Sequence, residues 1–131
     1  MAGLALSVID VRMSVTHTED VITVAETTHY ANRAAALMSA DDRAMVIEEI
    51  ARNPKAGDIV QGTGGVRKMR IALPGRGKSG GARVIFYYQD DEWPVLLLEV
   101  FAKNEQANLT KAQRNALAKL IAELKAARKS K

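Results

Sequence analysis

The residues best suited to chemistry are six cations in one glycine-rich stretch, residues 62–83, which also holds seven of the nine glycines. These cations are Arg67, Lys68, Arg70, Arg76, Lys78 and Arg83. No carboxylate occurs between Asp58 and Asp90, although the whole chain carries a net charge of only +4. An unbalanced basic block of this kind is typical of a surface that binds a polyanion. The alternative is a solvated loop whose lysines and arginines only aid solubility.

Two nucleotide-binding patterns overlap in this stretch. Residues 72–79 satisfy a loose P-loop pattern, and Gly75, Gly77 and Gly80 have the spacing of a dinucleotide fingerprint. Both motifs hold phosphate only where a strand turns into a helix, because the helix N-terminus supplies the amides. Residues 83–89 are instead rich in β-branched and aromatic side chains, which predicts a strand. We therefore expect a connection between two antiparallel strands and no nucleotide site.

Alternation along three predicted strands, 66–73, 83–89 and 95–101, sorts the side chains into two faces. Lys68, Arg70, Arg83 and, just beyond the third strand, Lys103 are predicted to share one face. The same alternation places Leu96, Leu98 and Val100 on the opposite face, and Leu97, Glu99 and Phe101 with the cations. Cations that converge on one face repel one another, so the cluster favours an anionic ligand. The alternative is that Glu99 and Glu105 neutralise some of the cations as surface pairs.

The elements that must position these cations can be predicted from periodicity and capping. A β-branched run at 21–25 predicts a first strand, and apolar residues at helical spacing predict a helix over roughly 28–38. Ser39 and Asp42 resemble a capping box that opens a second helix, which Asn53 and Pro54 end. The short connection between the two helices predicts an antiparallel hairpin.

The C-terminal part is predicted to be one long helix. Thr110 and Gln113 form a capping box, and an apolar stripe at helical spacing follows as far as Leu124. The basic tail, residues 125–131, is expected to fray into solvent. We interpret residues 1–20 as a weakly patterned N-terminal extension and residues 21–131 as a single domain.

Composition excludes several classes of site. The chain of 131 residues is long enough for one core. It has no cysteine and only two histidines, which excludes disulfides and thiolate chemistry and leaves few ligands for zinc. We expect no metal and no cofactor. The N-terminus has neither a basic leader nor a long apolar run, which predicts a cytoplasmic protein.

Several ordered motifs resemble the RelE/ParE superfamily of bacterial toxins, most closely the HigB-type branch of RelE-like toxins. The resemblance covers roughly residues 21–125. Its motifs are Asn53-Pro54 with Gly57-Asp58, Gly62-Thr-Gly-Gly65 with Arg67-Lys68, Gly75-Arg-Gly-Lys78, Gly80-Gly81-x-Arg83, and Ala102-Lys-Asn-Glu105. The fold it implies is α+β: an N-terminal strand and a helical hairpin packed on a curved antiparallel sheet, followed by a C-terminal helix.

The resemblance implies a toxin of a type II toxin–antitoxin system that cleaves mRNA in the ribosomal A site. A cognate antitoxin, typically a helix-turn-helix protein in the HigB-type branch, would neutralise it. The implied chemistry is attack of a ribose 2′-OH on the adjacent phosphate, which needs a base, an acid and a cation for the phosphorane. A lysine among other cations can serve as acid or base without metal or histidine.

The resemblance also implies site residues. Arg83 corresponds to a strand arginine that relatives place against the scissile phosphate, and Arg70 and Lys103 are predicted to act with it as catalytic residues. The predicted phosphate-binding and RNA-binding residues are Arg67, Lys68, Arg76, Lys78 and Asn104.

Two positions depart from the pattern of relatives, and they leave the acid and the base unassigned. Asn104 replaces a functional arginine, and Thr110 falls near a tyrosine that is catalytic in some relatives. Glu105 is a candidate base or an ion-pair partner of Lys103. Tyr87 is a candidate for donating a hydroxyl or for stacking on a base.

Two other functions fit the same fold. One is a ParE-type toxin that inhibits gyrase, which would produce cleaved DNA and no truncated mRNA. The other is an inactive nucleic-acid-binding regulator of its own operon, which would cause no growth arrest on expression.

Overall fold

The structure is a computed structural model that describes residues 11–14, 22–73, 81–102, 105–106 and 108–129. It confirms the predicted α+β class. The elements in chain order are β1 (Val11–Ser14), β2 (Val24–Thr27), α1 (Thr28–Leu37), α2 (Ala40–Arg52), β3 (Asp58–Ile59), β4 (Val66–Ile71), β5 (Ala82–Tyr87), β6 (Val95–Ala102) and α3 (Lys111–Lys129). None of these helices is long and apolar enough to cross a membrane.

The described strands form one sheet in the order β1-β2-β6-β5-β4-β3. Neighbouring strands are antiparallel except for β2 and β6, which run parallel. Strand β1 was not predicted, since residues 1–20 show no clear pattern. Its four residues pair with β2 and cover that edge of the sheet. Strand β3, at the other edge, was also missed because two residues are too few for a visible alternation.

The predicted helical hairpin lies on one face of the sheet. Thr27 caps α1 by accepting a hydrogen bond from the Tyr30 amide at 3.2 Å, and Ser39 caps α2 by accepting one from the Asp42 amide at 3.1 Å. The buried apolar residues of both helices pack with those of the sheet in a first core, which includes Val84 and Phe86.

Helix α3 covers part of the opposite face. Thr110 and Gln113 exchange hydrogen bonds in the predicted capping box, at 2.9 and 3.1 Å. The apolar stripe of α3 packs in a second core with Ile85, Tyr87 and Leu98.

The expectation of a frayed basic tail was wrong for residues 125–129, which are helical. Lys125 Nζ donates to the Gly64 carbonyl at 2.9 Å, and Arg128 Nη1 donates to Asp90 Oδ2 at 2.6 Å. The Arg128 guanidinium also lies over the Trp93 ring, 5.1 Å from its centroid. These tertiary contacts hold the last turns of α3, and no local sequence pattern predicts them.

The predicted alternation of side chains is wrong in the first half of β6, because this strand contains a bulge. Ile85 pairs with Glu99 but the next residue, Phe86, pairs with Leu97, so β6 has one extra residue at Leu98. Before the bulge, Leu97 faces the helical hairpin and Leu96 and Leu98 face α3, which is the reverse of the prediction. After the bulge, Val100 and Phe101 lie on the faces that were predicted.

Strands β4 and β5 confirm why the nucleotide motifs fail. They are antiparallel neighbours, with Ile71 opposite Ala82 at the end next to the glycine-rich connection. A strand therefore follows the glycines where a P-loop would need a helix. Residues 74–80 themselves lie outside the described residues.

Candidate functional site

Three cations from three different elements line one open groove on the α3 side of the sheet. They are Lys68 from β4, Arg83 from β5 and Arg114 from α3. The groove has a volume of about 720 Å³, and none of the described residues that line it is acidic. The amides of Gln61 and Asn108 line it as well, together with the apolar residues Ile59, Val60, Ile85 and Leu109. A cationic groove of this size suits a phosphorylated ligand.

The strand register explains why the cations of β4 and β5 converge. Arg70 pairs directly with Arg83, and Lys68 pairs with Ile85, two residues along β5 from Arg83. Directly paired residues project to the same face, and diagonal neighbours are within reach of long side chains. Arg70 is exposed and Lys68 is partly buried. The predicted grouping of Lys68, Arg70 and Arg83 on one face agrees with this register.

Arg83 is positioned by its strand and by the segment that leads into α3. Just before β5, the backbone at Gly81 lies close to the end of β4. A Cβ atom at Gly81 would lie 3.1 Å from the Ile71 carbonyl oxygen, so a side chain would crowd this strand end. Arg83 Nη1 lies 3.5 Å from Asn108 Oδ1. The Arg114 guanidinium is fixed nearby, because its Nη1 donates to the Leu109 carbonyl at 2.9 Å.

The turn between β3 and β4 forms one wall of the groove. Thr63 is fully buried, and its hydroxyl donates to the Val60 carbonyl at 2.7 Å and accepts from the Val66 amide at 3.1 Å. The Val60 amide donates to the Val66 carbonyl at 2.8 Å. Gly62 and Gly64 have φ of 80° and 82°, a conformation that other residues rarely adopt. The Gly62-Thr-Gly-Gly65 motif therefore builds a rigid turn.

Arg67, which was predicted to bind RNA, lies away from this groove. It pairs with Phe86 of the hairpin-side core, and its Nη1 donates to the carbonyls of Lys55 and Gly57 at 3.1 and 2.9 Å. These bonds tie β4 to the segment after α2. The structure does not bring Arg67 together with Lys68 and Arg83. Four other predicted residues, Arg76, Lys78, Lys103 and Asn104, lie outside the described residues.

The two glutamates proposed as partners of the cations have other partners. Glu99 is buried, with its Oε2 2.7 Å from His29 Nε2 and its Oε1 3.7 Å from Arg33 Nε. Glu105 pairs with Arg33 as well, and it accepts from the Ala102 amide at 2.8 Å. These ion-pair partners of both glutamates lie on α1.

Tyr87 and Thr110 have structural surroundings. The Tyr87 ring packs in the core under α3, and its hydroxyl donates to Gln89 Oε1 at 3.1 Å. Burial raises the pKa of the Tyr87 phenol above its ordinary value, and the Arg128 cation partly offsets this effect. Thr110 caps α3, as predicted.

Sequence reasoning missed Arg114, Asn108 and Gln61. Arg114 falls within the amphipathic pattern of α3, where an arginine usually marks only the solvated face. Its one sequence signal is its place in the first turn after the Thr110 cap, since a helix N-terminus packed against the sheet brings that turn to the open face. Asn108 and Gln61 lie in loops, where no hydrophobic periodicity indicates which side chains face a site.

Comparison with known families identifies the fold and the class of protein. Residues 25–131 match the family model for RelE, described as the RelE toxin of the RelE/RelB toxin–antitoxin system. The chain belongs to the RelE toxin family. Toxins of this family act with a cognate antitoxin and are generally ribonucleases. Strand β1 lies before the matched residues. Within the described ranges, no group of three or more His, Asp or Glu side chains could hold a metal ion.

Proposed function

We propose that this RelE-family toxin is a ribosome-dependent endoribonuclease that cleaves mRNA in the ribosomal A site and so inhibits translation. One observation carries the proposal: Lys68, Arg83 and Arg114 line a single groove that has no described carboxylate. The phosphate backbone of RNA is the ligand that such a groove favours. Arg70, opposite Arg83, extends the cationic surface along the sheet.

The reaction is an internal transfer at phosphorus. The ribose 2′-oxygen forms a bond to the adjacent phosphorus while the bond to the 5′-oxygen of the next nucleotide breaks. A base takes the proton of the 2′-OH and an acid returns a proton to the leaving 5′-oxygen, which gives a 2′,3′-cyclic phosphate and a free 5′-OH.

The guanidinium of Arg83 can bind two phosphate oxygens at once and stabilises the charge that builds on the phosphorane. Lys68 and Lys103 are the proposed side chains that can exchange protons, with no metal or cofactor in the reaction. His29 does not serve this groove, because it is held by Glu99 beside α1.

The motifs around Gly62–Gly65 and Arg83 support assignment to the HigB-type branch of the family. A helix-turn-helix antitoxin is then the proposed cognate partner, the 70S ribosome is the proposed site of action, and the cytoplasm is the proposed location. Arg76, Lys78 and Asn104 are proposed further contacts to RNA.

The direct test is a reconstituted translation reaction with defined mRNA, purified ribosomes and the purified toxin. The proposal expects mRNA cleavage that needs ribosomes, with 2′,3′-cyclic phosphate and 5′-OH ends. Matched reactions with gyrase and supercoiled DNA test the ParE-type alternative. Cleaved DNA together with intact mRNA would replace the ribonuclease proposal, and binding to operator DNA without either cleavage would indicate a regulator.

A further inference from the structure

One wall of the groove has a different chemistry from that of the phosphate-binding cations. It is formed by the turn that runs from Ile59 to Gly62, where cations are absent among the lining residues. Ile59 is 58 % exposed and is the one large hydrophobic residue exposed in the described part of the chain. Gln61, two residues on, is exposed and adds an amide. An apolar surface beside an amide suits a nucleobase rather than a phosphate.

The Gln61 amide is carried on a rigid support. The hydroxyl of buried Thr63 joins both ends of the turn, and Lys125 from the last turns of α3 donates to the Gly64 carbonyl. The side chain of Gln61 itself makes no hydrogen bond to any described residue. The Gln61 amide is therefore available to a ligand, on a turn whose backbone is held in place.

The groove floor and far end complete a pocket for one nucleotide. Ile85 and Leu109 are buried apolar residues that line the same groove as Arg83 and Arg114. The volume of about 720 Å³ lies within the range of sites that enclose a small ligand. A nucleotide bound in this groove can place its base against the turn and its phosphate at Arg83 and Arg114, since all of these residues line the same groove.

We propose that Gln61 is a specificity-determining residue that reads the edge of the RNA base next to the cleaved phosphate. The proposal rests on the proposed ribonuclease function and adds the part of the site that discriminates between codons. A carboxamide offers one donor and one acceptor side by side, so it selects a base edge with the complementary pair. The cations hold the backbone of every RNA alike and cannot make this selection.

The first experiment compares codon profiles. Wild type, Gln61→Ala and the control Asn32→Ala, an exposed amide on α1 across the sheet, are assayed with ribosomes programmed with mRNAs that differ only in the A-site codon. The proposal expects Gln61→Ala to reduce discrimination between preferred and disfavoured codons by about tenfold. It expects the cleavage rate of Gln61→Ala at the disfavoured codons to stay within about twofold of wild type. It expects the melting temperature to stay within a few degrees of wild type. An Asn32→Ala profile equal to wild type completes the expectation.

A second experiment needs no cleavage. The wild-type protein, with its glutamine side chains ¹⁵N-labelled, is titrated with the four trinucleotides AAA, CCC, GGG and UUU, and the Gln61 amide signal is followed by NMR. A shift that is selective for one base supports base reading even if ribosome-dependent cleavage is absent. Absence of cleavage by the wild type would then count only against the ribonuclease function. An unchanged codon profile in Gln61→Ala, or equal Gln61 shifts with all four trinucleotides, would overturn the inference.

Discussion

Arg70 and Arg83 lie directly opposite each other on the neighbouring antiparallel strands β4 and β5. Two like charges in this position destabilise a sheet, because paired side chains lie close together on one face. An anion bound between two such guanidinium groups would relieve repulsion between them. The pair therefore supports a site that is completed by the phosphate of its ligand.

Replacement of Arg83 tests the proposed catalytic role. Arg83→Ala should lower ribosome-stimulated mRNA cleavage by about 10²–10³, since one cation that stabilises the transition state is lost. Arg83→Lys should recover only part of the rate, because an ammonium group cannot make a forked contact with two oxygens. Cleavage rates are to be measured together with melting temperatures. Full activity per folded molecule in Arg83→Ala would remove Arg83 from the reaction.

Replacement of Arg70 separates stability from activity. Arg70→Ala should raise the melting temperature at low salt, because the repulsion with Arg83 disappears, and should lower cleavage. Both effects should shrink with added salt, which screens exposed charges. Lys119→Ala is the control, since Lys119 is exposed on α3 outside the groove and removes the same charge. An equal gain in stability from Lys119→Ala would show that net charge, rather than the Arg70–Arg83 pair, is responsible.

Much of this fold could be predicted because its signals are local. Capping patterns at Ser39 and Thr110 correctly predict where α2 and α3 begin. In β4, the alternation of Lys68 and Arg70 with Met69 and Ile71 correctly predicts which side chains face the hairpin-side core. The order of these elements, together with the ordered motifs, was enough to identify the family.

The errors arose where tertiary structure decides. The bulge at Leu98 reverses the alternation of the first half of β6. The contacts of Glu99 with His29 and Arg33 depend on where α1 packs beside the sheet. A period of two residues cannot reveal an extra residue in a strand. Arg114 was missed for a related reason, since its place in the groove depends on how α3 packs across the sheet.

The contact between Arg128 and Asp90 should make stability depend on acid pH. The hydrogen bond from Arg128 lowers the pKa of the Asp90 carboxyl below its ordinary value. Because the folded-state pKa is the lower one, this stabilisation is present above the unfolded-state pKa, about 3.9. It is lost as the pH falls through the folded-state pKa.

Arg128→Ala should therefore lower the urea midpoint at pH 7, also because the contact with Trp93 is lost, and should flatten its decline at acid pH. Asp90→Asn should flatten the acid decline while it keeps the stacking of Arg128 on Trp93. Urea titrations of the three proteins between pH 3 and pH 7 provide the measurement. Parallel acid profiles for wild type and both variants would mean that the pair does not contribute.

Tyr30 offers a test inside the core. Its ring is fully buried between α1 and the sheet, and its hydroxyl makes no hydrogen bond to any described residue. A buried hydroxyl without a partner costs about 1–3 kcal/mol of stability. Tyr30→Phe should therefore leave the free energy of unfolding unchanged or raise it by about 1 kcal/mol at pH 7. In the control Tyr87→Phe, loss of the bond to Gln89 should lower it by about 0.5–1.5 kcal/mol.

The same substitution should change the alkaline limit of stability. Burial raises the pKa of the Tyr30 phenol far above its ordinary value, and the neighbouring carboxylate of Glu26 adds to this effect. Since the folded-state pKa is the higher one, the contribution of neutral Tyr30 is complete below the unfolded-state pKa of about 10. Above it, wild type should lose up to about 1.4 kcal/mol per pH unit relative to Tyr30→Phe. Urea titrations of both proteins at pH 7, 9, 10 and 11 measure this difference, and a constant difference across the series would show that the Tyr30 phenol is not held neutral by the fold.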